Sequence, residues 1–138
     1  MTGVWARALT RDALLDAFKA HRTVATSGGR IALAFWVGDA FMGDEVACSG
    51  PPRLRGWIRG ERPLGAVEVV RDGEVAARWE APQAEFALDW LDEAVGTGRH
   101  FYYVRVVPEQ PTPHFPSSVV VAFGGQAWSS PIWVNVRS

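Results

Sequence analysis

Three histidines, one cysteine and scattered carboxylates are the residues of this chain that could do chemistry. His21, His100 and His114 stand far apart, and none belongs to an HxH, HExxH or CxxC spacing, so no metal site is expected. His100 sits in a strand as a packed or edge side chain, and His114 lies in a proline-rich loop. Cys48 follows Asp44 and Glu45, whose charge would raise a thiol pKa and blunt it as a nucleophile. A half-buried residue before a turn accounts for it. Ser129 and Ser130 precede Pro131 without the glycine elbow of a serine hydrolase. Residues 26–30 (Thr26, Ser27, Gly28, Gly29, Arg30) could offer amides and a guanidinium to an anion, but lack a phosphate-loop lysine. Asp39, Asp44 and Glu45 form one acidic group, and Asp89, Asp92 and Glu93 another. Each reads as a solvated rim rather than an acid/base pair. No catalytic, cofactor-binding or metal constellation emerges.

Seven tryptophans in 138 residues need either a large core or an exposed platform. Trp36, Trp79 and Trp90 lie on apolar strand faces and are expected inside. Trp5, Trp57, Trp128 and Trp133 are not obviously core. Of these, Trp57, Trp128 and Trp133 form the candidate binding surface, on which a sugar ring could stack. Against a lectin, no Asn, Asp or Gln cluster accompanies them to grip hydroxyls.

The elements that would carry these residues are mostly strands. One helix is expected over residues 10–22, with Thr10 as N-cap, Asp12 in the first turn, and Leu14, Leu15 and Phe18 at helical spacing. Residues 31–37 read as a strand buried on both faces, and 53–59 and 65–71 follow. Asp72 and Gly73 form a hairpin signal. Phe86, Leu88 and Trp90 alternate with Glu85, Ala87 and Asp89, and Tyr102, Val104 and Val106 with Tyr103 and Arg105. Four prolines make 108–117 a loop; short strands are expected at 119–123 and 132–136. The fold class is therefore mainly β: an immunoglobulin-like antiparallel β-sandwich of seven or eight strands with one N-terminal α-helix. Residues 1–29 form a helical segment and residues 30–138 the sandwich domain.

The bulk composition excludes several roles. Apolar residues make up 48% and charged residues 21%, a globular balance. A net charge of −1 argues against a nucleic-acid or anionic-membrane surface. A lone cysteine excludes an internal disulfide, and no window suggests a signal peptide or a membrane span. The expected compartment is the cytoplasm by default.

Four stretches also carry a resemblance. Residues 2–28 include Leu9, Thr10, Arg11 and Asp12 before the helix, and Ala25, Thr26, Ser27 and Gly28 after it. With residues 67–74, 102–106 and the run Trp128, Ser129, Ser130, Pro131, Ile132, Trp133, they resemble the C-terminal region of PHP-like metallohydrolases of the carbaryl-hydrolase type. Asp12 replaces that family's usual glutamate and Ser27 its second threonine, and residues 108–126 look longer than its usual turn. The resemblance implies a parent enzyme hydrolysing an ester, carbamate or phosphoester with water activated by a divalent metal. Its histidine and aspartate ligands precede the aligned region, the last in a serine-aspartate-x-histidine motif that would sit just before Met1. No metal ligand carries over, so this chain is expected to be non-catalytic and without cofactor. The helix would be the end of the catalytic PHP domain, its face of Leu14, Leu15 and Phe18 contacting that domain or a second copy of the chain. A stand-alone binding module for carbohydrate or protein is the rival reading.

Overall fold

The computed structural model describes residues 1–27, 29–108 and 126–138. It contains one helix and twelve strands in two sheets. The helix, α1 (Arg11–Lys19), forms where the sequence places it. Thr10 is extended and its Oγ1 accepts from the Ala13 N–H at 3.3 Å, closing the first turn. The helix ends earlier than expected because His21 turns left-handed (φ 54°) and the chain reverses into a strand. Before and after it run β1 (Thr2–Val4) and β2 (Thr23–Ser27), paired antiparallel.

The smaller sheet holds β3 (Ile31–Val37), β4 (Ala40–Phe41), β6 (Arg53–Gly60) and β9 (Glu85–Leu91), in the order β4-β3-β6-β9. The larger sheet is centred on β10 (Gly98–Val107). On one side of it lie β7 (Gly65–Arg71) and β8 (Glu74–Ala81), the hairpin turned by Asp72 and Gly73. On the other side lie β11 (Gln126–Ser129) and β12 (Ile132–Arg137). These two pair successive lengths of β10, and the register slips by one residue between them. Pro131 has no amide to give, and Ser130 turns aside, its N–H donating to Thr23 O at 3.1 Å. The ribbon β1–β2 extends the sheet beyond β11, and β5 (Glu45–Ser49) extends it beyond β12.

The alternation of inward apolar residues builds the core between the sheets. Leu33, Phe35, Leu54, Ile58 and Leu88 from the smaller sheet face Val67, Val69, Tyr102, Val104 and Ile132 from the larger. Phe86, Leu88 and Trp90 do share the inner face, with Trp79 in edge contact with Trp90 at 6.2 Å.

Several expectations need correcting. The described residues hold more than seven or eight strands: β1, β2, β4, β5 and β11 were not expected, and β1 and β4, with three and two residues, are too short to show periodicity. It is not wholly antiparallel: β5 runs parallel to β12. Sheet pairing also crosses residue 29, since β2 pairs with β11 and Val24 enters the core. Trp36 is not interior. It lies opposite Phe41, their rings 5.2 Å apart, on the outer face of the smaller sheet. Residues 109–117 of the expected loop, with His114, and the strand expected at 119–123 fall outside the described residues. No described helix is long and apolar enough to cross a membrane.

Candidate functional site

The structure separates the three candidate tryptophans into two places. Trp128 on β11 pairs with Arg105 and with Ala25, and Trp133 on β12 pairs with Phe101 and with Glu45. Paired residues share a face, so both rings lie on the outside of the larger sheet. Phe101 and Tyr103 of β10 lie on that face too, alternating with the buried Tyr102 and Val104. The His21 ring meets Trp133 edge-on at 6.4 Å. Trp57 is elsewhere, on the outer face of the smaller sheet beside Ala34 and Ala87, its Nε1 donating to Glu85 Oε1 at 2.8 Å. Trp5 is a tie: its Nε1 donates to Leu33 O at 2.7 Å, joining the ribbon to β3. Phe101 and Tyr103 are thus the members of the platform that residue-by-residue reading missed. Their signal was the alternation of β10, which puts every odd-numbered side chain outside.

Polar groups border this face. Glu45 and Arg99 approach at 3.6 Å beside Trp133 and the exposed Asn135. Next to Trp128, Glu68 is buried and accepts from Arg78 Nη1 at 2.6 Å and Arg105 Nε at 2.7 Å. Burial raises its pKa, but the two guanidinium groups outweigh that and hold it below its ordinary value. A carboxylate lowered in this way stabilises the fold above its unfolded pKa, and that contribution is lost as the pH falls through the folded value. Glu68→Gln is therefore expected to cost about 1–2 kcal/mol at neutral pH, after discounting the solvent screening of the arginines. Denaturant midpoints should show the deficit shrinking below about pH 4. A pH-independent deficit would contradict the ion triad.

The helix presents its large apolar side chains to solvent. Only Ala17 is buried; Leu14 is half-buried, and Leu15 and Phe18 are 45% and 50% exposed. Leu9 just before it is 93% exposed. The side turned inward is the small one: Ala13, Ala17 and Ala20 border a cleft shared with Trp5 and Arg22.

The remaining reactive types hold structure. His100 sits between Asp72 Oδ2, 2.6 Å from Nδ1, and Gly96 O, 2.9 Å from Nε2. Burial pushes the Cys48 thiol up, and its Sγ donates to Gly50 O. Ser129 Oγ accepts from Val104 N at 2.9 Å, and Ser130 Oγ donates to Thr23 O at 2.9 Å. Asp44 caps Phe41 N at 2.9 Å, and Asp89 pairs with Arg53 at the surface. Among the described residues, no three His, Cys, Asp or Glu side chains gather where they could hold a metal ion.

One cleft touches the 26–30 stretch. It has a volume of about 480 Å³ and lies between β1 and the first half of β3, with Thr26, Arg30 and Arg59 on its walls. The Thr26 hydroxyl is buried with no partner among the described residues.

Comparison with known proteins finds similarity only to proteins without a described function. Residues 1–56 match the model of a family described as "Protein of unknown function (DUF3604)". An uncharacterised protein of Chlamydia muridarum is 28% identical over 99% of this chain, one of Chlamydia trachomatis 26% and one of Chlamydia pneumoniae 29%. The chain spans 23% of the length of each of these relatives. No solved structure matches.

Proposed function

We propose that this chain is a non-catalytic β-sandwich region of a larger PHP-like metal-dependent hydrolase, which it supports structurally or by shaping the substrate site. The carrying observation is the helix: it turns Leu15 and Phe18 outward while docking its alanines, as a helix does when it is shared with a second body. Relatives of more than four times the matched length fit that picture. The order β4-β3-β6-β9 facing β8-β7-β10-β12 supports an immunoglobulin-like arrangement. In the parent, a divalent metal would activate the hydrolytic water; this reading assigns that metal no ligand in the present chain. The resemblance of residues 2–28, 67–74, 102–106 and 127–134 supplies the reaction class.

The test begins with the coding sequence immediately upstream and in frame, which should carry histidine- and aspartate-rich metal motifs. That segment, produced separately, is expected to bind this chain one to one, and Leu15→Glu with Phe18→Glu should weaken the complex at least tenfold. An unrelated upstream sequence, or a complex indifferent to both substitutions, would sink the proposal.

The platform of Phe101, Tyr103, Trp128 and Trp133 favours a second reading, a binding module for carbohydrate. Affinity for a glycan panel would then fall with Trp128→Ala and Trp133→Ala but not with Trp57→Ala, which is on the opposite sheet.

A further inference from the structure

We propose that the cleft between β1 and β3 is a binding site for a small amphiphile: an apolar chain ending in a single oxyanion. The site arises where the edges of the two sheets meet. β4 pairs only with Trp36 and Val37, so among the described residues the first half of β3 has no strand on that side. The β1–β2 ribbon stands across the gap, tied to β3 through the Trp5–Leu33 hydrogen bond. A space of about 480 Å³ stays open between them, within the usual range of small-molecule pockets.

Its lining divides by chemistry. The floor is apolar, from Val4, Val24, Ile31 and Leu33. The mouth carries two guanidinium groups, Arg30 and Arg59, against one carboxylate, Glu61. All three are exposed, and none forms a salt bridge among the described residues. Five other arginines, Arg53, Arg71, Arg78, Arg99 and Arg105, each approach a carboxylate, whereas Arg30 and Arg59 stand at the cleft in no salt bridge among the described residues. Two guanidinium groups in no salt bridge among the described residues, beside an apolar slot, fit a carboxylate or phosphate head, which either can grip with paired N–H donors. Thr26 lies on the same wall, and its buried hydroxyl has no partner among the described residues. A chain of roughly ten carbons suits the volume.

Isothermal titration of this chain with decanoate, decyl phosphate and decanol, each below its aggregation limit, tests the proposal. At least one of the two anions should bind, at least tenfold more tightly than decanol. Which anion binds better identifies the head group. Arg30→Gln with Arg59→Gln should abolish that preference while leaving the melting temperature unchanged, because both side chains are exposed and in no salt bridge among the described residues. Ala32→Trp, at an exposed position on the cleft wall, should block all three ligands. Failure of both anions to bind, equal binding of decanol, or full affinity in the double-arginine variant would each overturn it. None of these outcomes bears on the helix surface, so the accessory-region reading stands or falls separately.

Discussion

Gly43→Ala is expected to be severely destabilising, costing about 3 kcal/mol or more. A Cβ at this position would stand 2.1 Å from Ala20 O and 2.9 Å from His21 O, both backbone atoms that no rotamer change can move away. The backbone φ of +95° adds a conformation that side chains rarely adopt. Retreat is also blocked, because the Gly43 N–H donates to Pro131 O at 2.8 Å. One glycine thus lets three parts meet: the end of α1, the turn before β5, and the slip between β11 and β12. Gly73→Ala is the matching control. Its φ is +89°, but nothing lies within 4 Å of the added carbon, so only the backbone preference is lost, about 1–2 kcal/mol. Equilibrium urea unfolding of both variants separates the steric cost from the dihedral cost. Equal losses in the two would refute the close packing of the helix end.

The second large effect is at Asp92, which is fully buried where the chain passes from β9 to β10. Its carboxylate accepts from Arg71 Nη1 at 2.5 Å, from the Tyr102 hydroxyl at 2.8 Å and from the Ala94 N–H at 3.2 Å. Asp92→Ala would leave a guanidinium whose side chain is only 27% exposed, and a fully buried phenol, without their acceptor. Breaking such a pair from one side costs about 3–5 kcal/mol. Tyr102→Phe removes one donor and leaves the ion pair, and should cost about 1 kcal/mol. Burial, and then the neighbouring carboxylate, push the Tyr102 phenol well above its ordinary pKa, so it remains a donor through the alkaline range. Arg71→Met in the Asp92→Ala background should restore part of the loss, since no unpaired charge then remains. A double variant no more stable than Asp92→Ala would show that the charge is not what makes Asp92 necessary.

Much of the fold was legible where a strand is long enough to alternate. Residues 85–91 and 98–107 show their inner and outer faces by residue type alone, Asp72 and Gly73 mark the β7–β8 turn, and Thr10 marks the helix start. The short strands were not legible. β4 has two residues and β1 three, too few to show a period, and their pairing depends on partners elsewhere in the chain. Trp36 illustrates the other failure. In an apolar run such as 31–37 both faces look alike, so hydrophobicity cannot say which side Trp36 takes. The register with Phe41 decides it.

The candidate surfaces divide in the same way. Local sequence determined the chemistry on offer: aromatic rings without a metal-ligand spacing, a helix with Leu15 and Phe18 on one side, and a stretch holding Thr26 and Arg30. It left Trp57, Trp128 and Trp133 as rings not obviously in the core; the strands that carry them put all three on outer faces, because successive strand side chains point to opposite sides. Only the tertiary structure decided which of them are neighbours. Trp128 and Trp133 join Phe101 and Tyr103 because β10 pairs with both β11 and β12, while β6 carries Trp57 into the other sheet. The cleft between β1 and β3 was equally invisible. It belongs to neither strand but to the gap between two sheet edges, and long-range pairing sets the width of that gap.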